Sequence, residues 1–176
     1  MTSIAIQKAT HEDIQTLLTI GRETFLETFA DSNDPENINK YIAENFNEDK
    51  IRAEISNPES YFYIAWDDNT PAGYLKLNSG NAQNELQKEA SLEIERIYVR
   101  SPYLGRKVGQ VLYEKALEIA ISLRKSYIWL GVWEENQRAI RFYEKNGFVA
   151  FDKHSFMMGP EEQTDIMMRK DLQFEN

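Results

Sequence analysis

Residues 92–109 read LEIERIYVRSPYLGRKVG and run on into QVLYEKALEIA. Leu92 to Val99 alternates apolar residues with Glu93 and Glu95, the period-two pattern of a strand. Gly109 to Leu123 then carries Val111, Leu112, Ala116, Ile119 and Leu123 at helical spacing, which predicts a helix with those residues inward. The opening N–H groups of such a helix lack intrahelical partners and lie at the positive end of its dipole, so the turn is a ready anion site. Gly105 allows an unusual backbone angle and Gly109 a close approach, while Arg106 and Lys107 supply cations suited to phosphate oxygens. The segment is neither GxGxxG nor a GxxxxGK[ST] loop. Its spacing equally suits an ordinary strand-to-helix turn bearing surface cations. Glu93 and Glu95 share one strand face, where a carboxylate serves either as solvated edge or as proton acceptor.

The rest of the chain arranges itself around this unit. Ser3 to Lys8 reads as a first strand, and Thr10 with Asp13 as a helix-capping box. Ile14, Leu17, Leu18, Phe25 and Phe29 recur at helical spacing. Asp34-Pro35 starts a second helix, and a third runs from Asn47 to the residues before Asn57-Pro58. Tyr61 to Trp66 and Ala72 to Asn78 form a hairpin about the turn residues 67–71. Gly80 to Lys88 is polar and loop-like. Tyr127 to Val132 is a buried strand, and Gln137 to Lys145 a helix closed by Asn146-Gly147. Phe148 to Met157 and Thr164 to Lys170 are the final strands. The order β, helices, three strands, α, β, α, two strands predicts a mixed α/β sheet in one domain over residues 1–176.

Composition narrows the chemistry. The 176 residues include no cysteine, which removes disulfides, thiolate metal sites and a cysteine nucleophile. His11 and His154 are the two histidines, far apart, so no metal is expected. A formal net charge of −9 argues against nucleic acid and suits either a cationic substrate or simple solubility. No run is long enough to span a membrane. The opening MTSIAIQKATHED lacks the basic start and apolar core of a secretory signal, so the expected location is cytoplasmic.

A second block, Asn136 to Phe148, reads NQRAIRFYEKNGF. Asn136 suits a helix cap, Gly147 a helix end, and Ala139, Ile140 and Tyr143 one stripe. Tyr143 serves either as a core aromatic or as a hydroxyl proton donor. Together with IYV and the glycine-bearing basic loop, this intact NxxAxxFYxxxGF pattern resembles the GCN5-related N-acetyltransferase (GNAT) superfamily over nearly the whole chain. SLEIERIY at 91–98, IWLGVWEEN at 128–136 and HSFMMGPEEQTD at 154–165 resemble its PaiA-type spermidine/spermine acetyltransferases. The chain departs from the family loop, Q/R-x-x-G-x-G/A, at Leu104 and Lys107.

The resemblance implies the GNAT fold, a mostly antiparallel twisted sheet flanked by helices, with acetyl-CoA as acyl donor and no metal. It implies that Ile97, Tyr98 and Val99 pair with the pantetheine arm. Gly105, Arg106, Lys107, Val108, Gly109 and Gln110 would hold the pyrophosphate. Asn136, Gln137 and Arg138 would line the thiol end, and Lys145 would reach the phosphates. Glu95 takes the place of the family's base, acting directly or through water, and Tyr143 that of the acid protonating the thiolate. The Val99 N–H suits the tetrahedral oxyanion. The implied acceptor is a primary amine, foremost a polyamine. Glu27, Asp31, Asp34, Glu161, Glu162 and Asp165 are acidic candidates to meet it, none of them assigned. The alternatives are another amine (a protein N-terminus, an amino acid, an antibiotic) and a non-catalytic acyl-CoA-binding regulator. The family also allows a homodimer.

Overall fold

The computed structural model describes residues 3–174, so the first two residues of the opening segment lie outside the described residues. Strand β1 (Ile4–Lys8) leads to helix α1 (Ile14–Phe29) through a turn in which Thr10 and Asp13 form the expected capping box. Helix α2 (Pro35–Asn45) starts where the Asp34 side chain accepts from the Glu36 N–H. Helix α3 (Glu48–Ser56) is capped by Asn47 and ends as Asn57 turns extended ahead of proline. Strands β2 (Ser60–Asp67) and β3 (Thr70–Ser79) form the hairpin, its turn tighter than the five residues expected. Then follow β4 (Ser91–Val99), α4 (Val108–Ser122), β5 (Tyr127–Trp133), α5 (Gln137–Lys145), β6 (Val149–Met158) and β7 (Glu161–Asp171).

The strands form one sheet in the order β1-β2-β3-β4-β5-β7-β6. Only β4 and β5 among these neighbours run parallel. Both faces of the sheet are covered at β5, which is why it reads as a nearly unbroken apolar run. Ile128, Leu130 and Val132 pack on the α4 and α5 side with Leu75, Leu77, Leu92 and Leu112. Trp133 joins Leu17, Phe25, Ile64 and Tyr74 under α1 to α3 on the other. Helix α4 departs from the expected stripe. Its buried side is Val108, Leu112, Tyr113, Ala116 and Ala120, whereas Val111 and Ile119 are half-buried and Leu123 is exposed. The buried set follows i, i+4 spacing from Val108 through Leu112, Ala116 and Ala120, so the inward face is centred to one side of Val111 and Ile119.

Two features of β4 open the molecule. Its pairing with β5 covers only Ser91–Ile94 against Tyr127–Leu130. Immediately beyond, the register with β3 slips: Leu77 faces Ile94 and Lys76 faces Arg96, leaving Glu95 as the extra residue of a bulge. Leu92 and Ile94 before the bulge, and Ile97 and Val99 after it, therefore pack on the same core. The Arg100 N–H donates to the Ala72 carbonyl at 2.9 Å. By two-residue alternation the backbone groups of Val99 and Ile97 point away from β3, where β5 no longer follows.

Among the described residues no helix is long and apolar enough to cross a membrane. At Gly73 of β3 a Cβ would lie 2.6 Å from the Tyr98 carbonyl oxygen of β4 and 3.1 Å from Leu112 Cδ1. Gly73→Ala is expected to lower the unfolding free energy by about 1–3 kcal/mol in urea titrations. Gly109→Ala, whose Cβ would meet nothing nearer than 3.7 Å, should leave it within about 0.5 kcal/mol.

Candidate active site

The parting of β4 from β5 makes a cleft of about 1260 Å³. Ile97, Tyr98 and Val99 line it from the free edge of β4, and Gly105, Lys107, Gly109 and Gln110 from the loop and first turn of α4. Asn136, Arg138, Tyr143 and Lys145 line it from α5 and its approach. The side chains of Arg106, Val108 and Gln137 do not. The Arg106 guanidinium sits 4.9 Å from the Tyr103 ring centroid, Val108 is buried in the core, and Gln137 donates to the Glu134 carbonyl. Any contact of Val108 with a ligand would use its backbone.

The loop leads into an uncapped helix start despite its atypical sequence. Lys107 adopts the left-handed conformation (φ 65°, ψ 15°), and Gly105 has φ 79°. Lys107 thus occupies a left-handed position, the kind that favours glycine, at a cost of about 1–2 kcal/mol. No side chain caps α4, so its opening N–H groups remain available to a ligand. The loop is anchored from behind. The Arg100 guanidinium bridges both Glu23 carboxylate oxygens at 2.9 and 3.1 Å, and the Ser101 N–H donates to Glu27 Oε2 at 3.0 Å. Gln110 Nε2 donates to Asn146 Oδ1 at 3.1 Å, joining the first turn of α4 to the end of α5.

On the α1–α3 face the cleft is strongly charged. Asn78 Nδ2 donates to Glu93 Oε1 and Glu95 Oε2, each at 2.9 Å, so the two glutamates do share a face. Lys76, only 5% exposed, forms ion pairs with Glu95 and Glu54, and Arg96 with Glu54. Burial alone would raise the Glu95 pKa. Arg96 and Lys76, with the hydrogen bonds from Lys76 and Asn78, outweigh it and hold the carboxyl at about 2. Glu93 is 4% exposed, and burial shifts its pKa upward against the hydrogen bonds of Asn78 and Asn84. Asp165, also lining the cleft, is raised to about 6 by burial, with His154 opposing and Glu85 assisting.

Tyr143 is 7% exposed and stacks edge-on with Phe142 and Phe148. Among the described residues none hydrogen-bonds its hydroxyl, and burial keeps it protonated far above neutrality. Asn136 caps α5 through Ala139 N–H at 3.2 Å. Of the acidic candidates, Glu27, Asp31 and Asp165 line the cleft, Glu27 being engaged by Ser101. Asp34 caps α2, and Glu161 and Glu162 lie outside the cleft lining. Asn84, Glu85, Trp129 and His154 also line it, although the sequence alone assigns them no site role. They reach it from loops and strands far apart in sequence, and no local pattern marks them. Among the described residues no group of three or more His, Asp or Glu is arranged to hold a metal ion.

Comparison with known proteins gives the same picture. The model of the acetyltransferase (GNAT) family matches residues 15–148. An uncharacterized N-acetyltransferase from Lactobacillus delbrueckii subsp. lactis is 42% identical over 172 residues, covering 98% of this chain and 99% of the relative. Spermidine N(1)-acetyltransferase from Thermoplasma acidophilum is 30% identical over 154 residues, covering 85% and 91%. The crystal structure of PaiA N-acetyltransferase from Thermoplasma acidophilum in complex with coenzyme A superimposes with a TM-score of 0.81 at 28% identity, covering 97% and 99%. With its sheet parting at β4 and β5, its uncapped α4 and the match over most of its length, the chain belongs to the GNAT acetyltransferase family.

Proposed function

We propose that the protein transfers the acetyl group of acetyl-CoA directly to a primary amine, foremost a polyamine. One observation carries this reading: the free edge of β4, the uncapped start of α4 and Tyr143, whose hydroxyl has no partner among the described residues, all line one cleft. The backbone of Ile97 and Val99 offers a strand-like edge for a pantetheine amide arm. The N–H groups at Val108, Gly109 and Gln110 suit a pyrophosphate, with Lys107 and Lys145 adding charge from the lining. The CoA-bound relative of similar fold supports that placement. The spermidine acetyltransferase relative and the acidic wall support a cationic acceptor.

The chemistry follows from the groups at hand. An aliphatic ammonium, with a reference pKa of about 10.4, must lose a proton before its nitrogen can attack. The carbon–nitrogen bond then forms, the Val99 N–H steadies the oxyanion, and the carbon–sulfur bond breaks. Tyr143 protonates the departing thiolate, whose reference thiol pKa is about 8.5. The lack of cysteine removes a cysteinyl acyl-enzyme. Glu95 enters as an ionised, paired carboxylate that orders water beside the acceptor, because Lys76 and Arg96 hold it in its charged form.

Three outcomes test this. Purified protein with acetyl-CoA should release CoA thiol when spermidine is added, and release no greater than the amine-free rate sinks the acceptor assignment. Tyr143→Phe should lower kcat by about tenfold to a hundredfold while the CoA dissociation constant stays within twofold. Unchanged kcat removes the acid role. Glu95→Gln should cost about 3 kcal/mol of stability by leaving Lys76 and Arg96 undercompensated. Since its folded pKa is lowered from 4.5 to about 2, ionised Glu95 adds stability that is complete above pH 4.5 and vanishes as pH falls through about 2. The mutant's acid unfolding curve should lack that part of the slope.

A further inference from the structure

Strand β5 is buried along its length except at Gly131, which is exposed in the middle of the sheet. Trp129 and Trp133 stand two residues to either side on the same face, so the missing side chain leaves a floor between two indoles in the cleft wall. Both indole N–H groups are already used, by Gln83 Oε1 at 2.8 Å and Gln163 Oε1 at 3.0 Å. Both indoles are buried, and neither offers a free donor at this floor. Asp165 of β7, paired in register with Trp133, leans over this floor: its Oδ2 would lie 3.3 Å from a Cβ placed on Gly131.

The Asp165 carboxylate differs from the two glutamates nearby. Glu95 is neutralised by Lys76 and Arg96. Both oxygens of Glu93 accept from Asn84, and one also accepts from Asn78. Among the described residues no group donates a hydrogen bond to Asp165. The titratable groups facing it are its cross-strand partner His154 on β6, Glu85 in the loop before β4, and Tyr41 on α2. His154 Nδ1 sits 3.1 Å from Glu85 Oε1, so the imidazole is shared. A carboxylate without a donor, over a bare and exposed backbone floor, suits a small hydrogen-rich cation.

Resting on the acetyltransferase reading, we propose that Asp165 is the carboxylate that receives the acceptor's ammonium above Gly131 and takes its proton. An N–H bond of the ammonium breaks, an O–H bond forms on the Asp165 carboxyl, and the freed electron pair stays on nitrogen for attack. The proton then leaves to water through the open cleft. Asp165 must be ionised to receive the ammonium, and its raised pKa of about 6 places that change within an accessible range. kcat/KM should therefore rise with pH through about 6.

Asp165→Asn, which keeps the shape and removes the charge, tests this with spermidine as the probe. The expected result is a loss in kcat/KM of about a hundredfold, a CoA dissociation constant within twofold of the wild type, and disappearance of the limb near pH 6. Gly131→Ala, which fills the floor, should raise KM for spermidine several-fold with melting temperature and CoA binding retained. An active wild type whose Asp165→Asn variant keeps kcat/KM within twofold, or keeps the limb, overturns this inference alone. A wild type that binds CoA but acetylates no amine overturns the acetyltransferase reading as well.

Discussion

The parting of β4 from β5 after the Ile94–Leu130 pair is the constraint on which the rest of the cleft depends. A parallel pair held over four residues gives the sheet continuity, and the bulge at Glu95 then lets β4 follow β3 away from β5. Three consequences follow from that single departure. Backbone groups of Ile97 and Val99 lose a strand neighbour, so they are open to an extended amide ligand. Ile97 and Val99 stay on the core face already occupied by Ile94, which anchors the free edge to the core. Glu95 and Arg96 are delivered to the opposite face, where they meet Lys76 and Glu54.

That charged face is more than an acidic wall. Removing Lys76 or Arg96 from water is costly, and the carboxylates of Glu54 and Glu95 offset the cost only while all are in place. The network ties α3 to β3 and β4 at the point where the sheet opens. Its charges are therefore committed to one another. Asp165, which accepts no hydrogen bond from the described residues, stands outside this network and is the carboxylate we assign to the acceptor's proton.

Much of this was legible in the sequence. The helix starts at Thr10, Asp34, Asn47 and Asn136 depend on local capping chemistry and appear where the residues place them. The strand-to-helix unit from Leu92 and the block from Asn136 to Phe148 likewise put Tyr98, Lys107, Gly109 and Tyr143 in one cleft. Strict alternation, however, sets Ile97 and Val99 on the face of Glu93 and Glu95. The bulge separates them, and it arises from β3–β4 register, which no single segment encodes. The roles of Lys76, Glu54 and Asn84 are not legible in the sequence for the same reason. Each is unremarkable locally and acquires meaning through a partner on another element.

The atypical loop shows how a fold absorbs a departure from pattern. Lys107 takes the left-handed backbone that glycine would adopt freely, and Glu23 and Glu27 brace the residues before it. The shape of the cradle resides in the backbone, so a side chain can change there without closing the site. Hydrogen exchange at single-residue resolution, with and without CoA, tests the central claim that the parted strands and this cradle form the cofactor slot. Slowed exchange at the amides of Ile97, Val99, Gly109 and Gln110 on adding CoA is expected. CoA binding that leaves these four amides unprotected would contradict it.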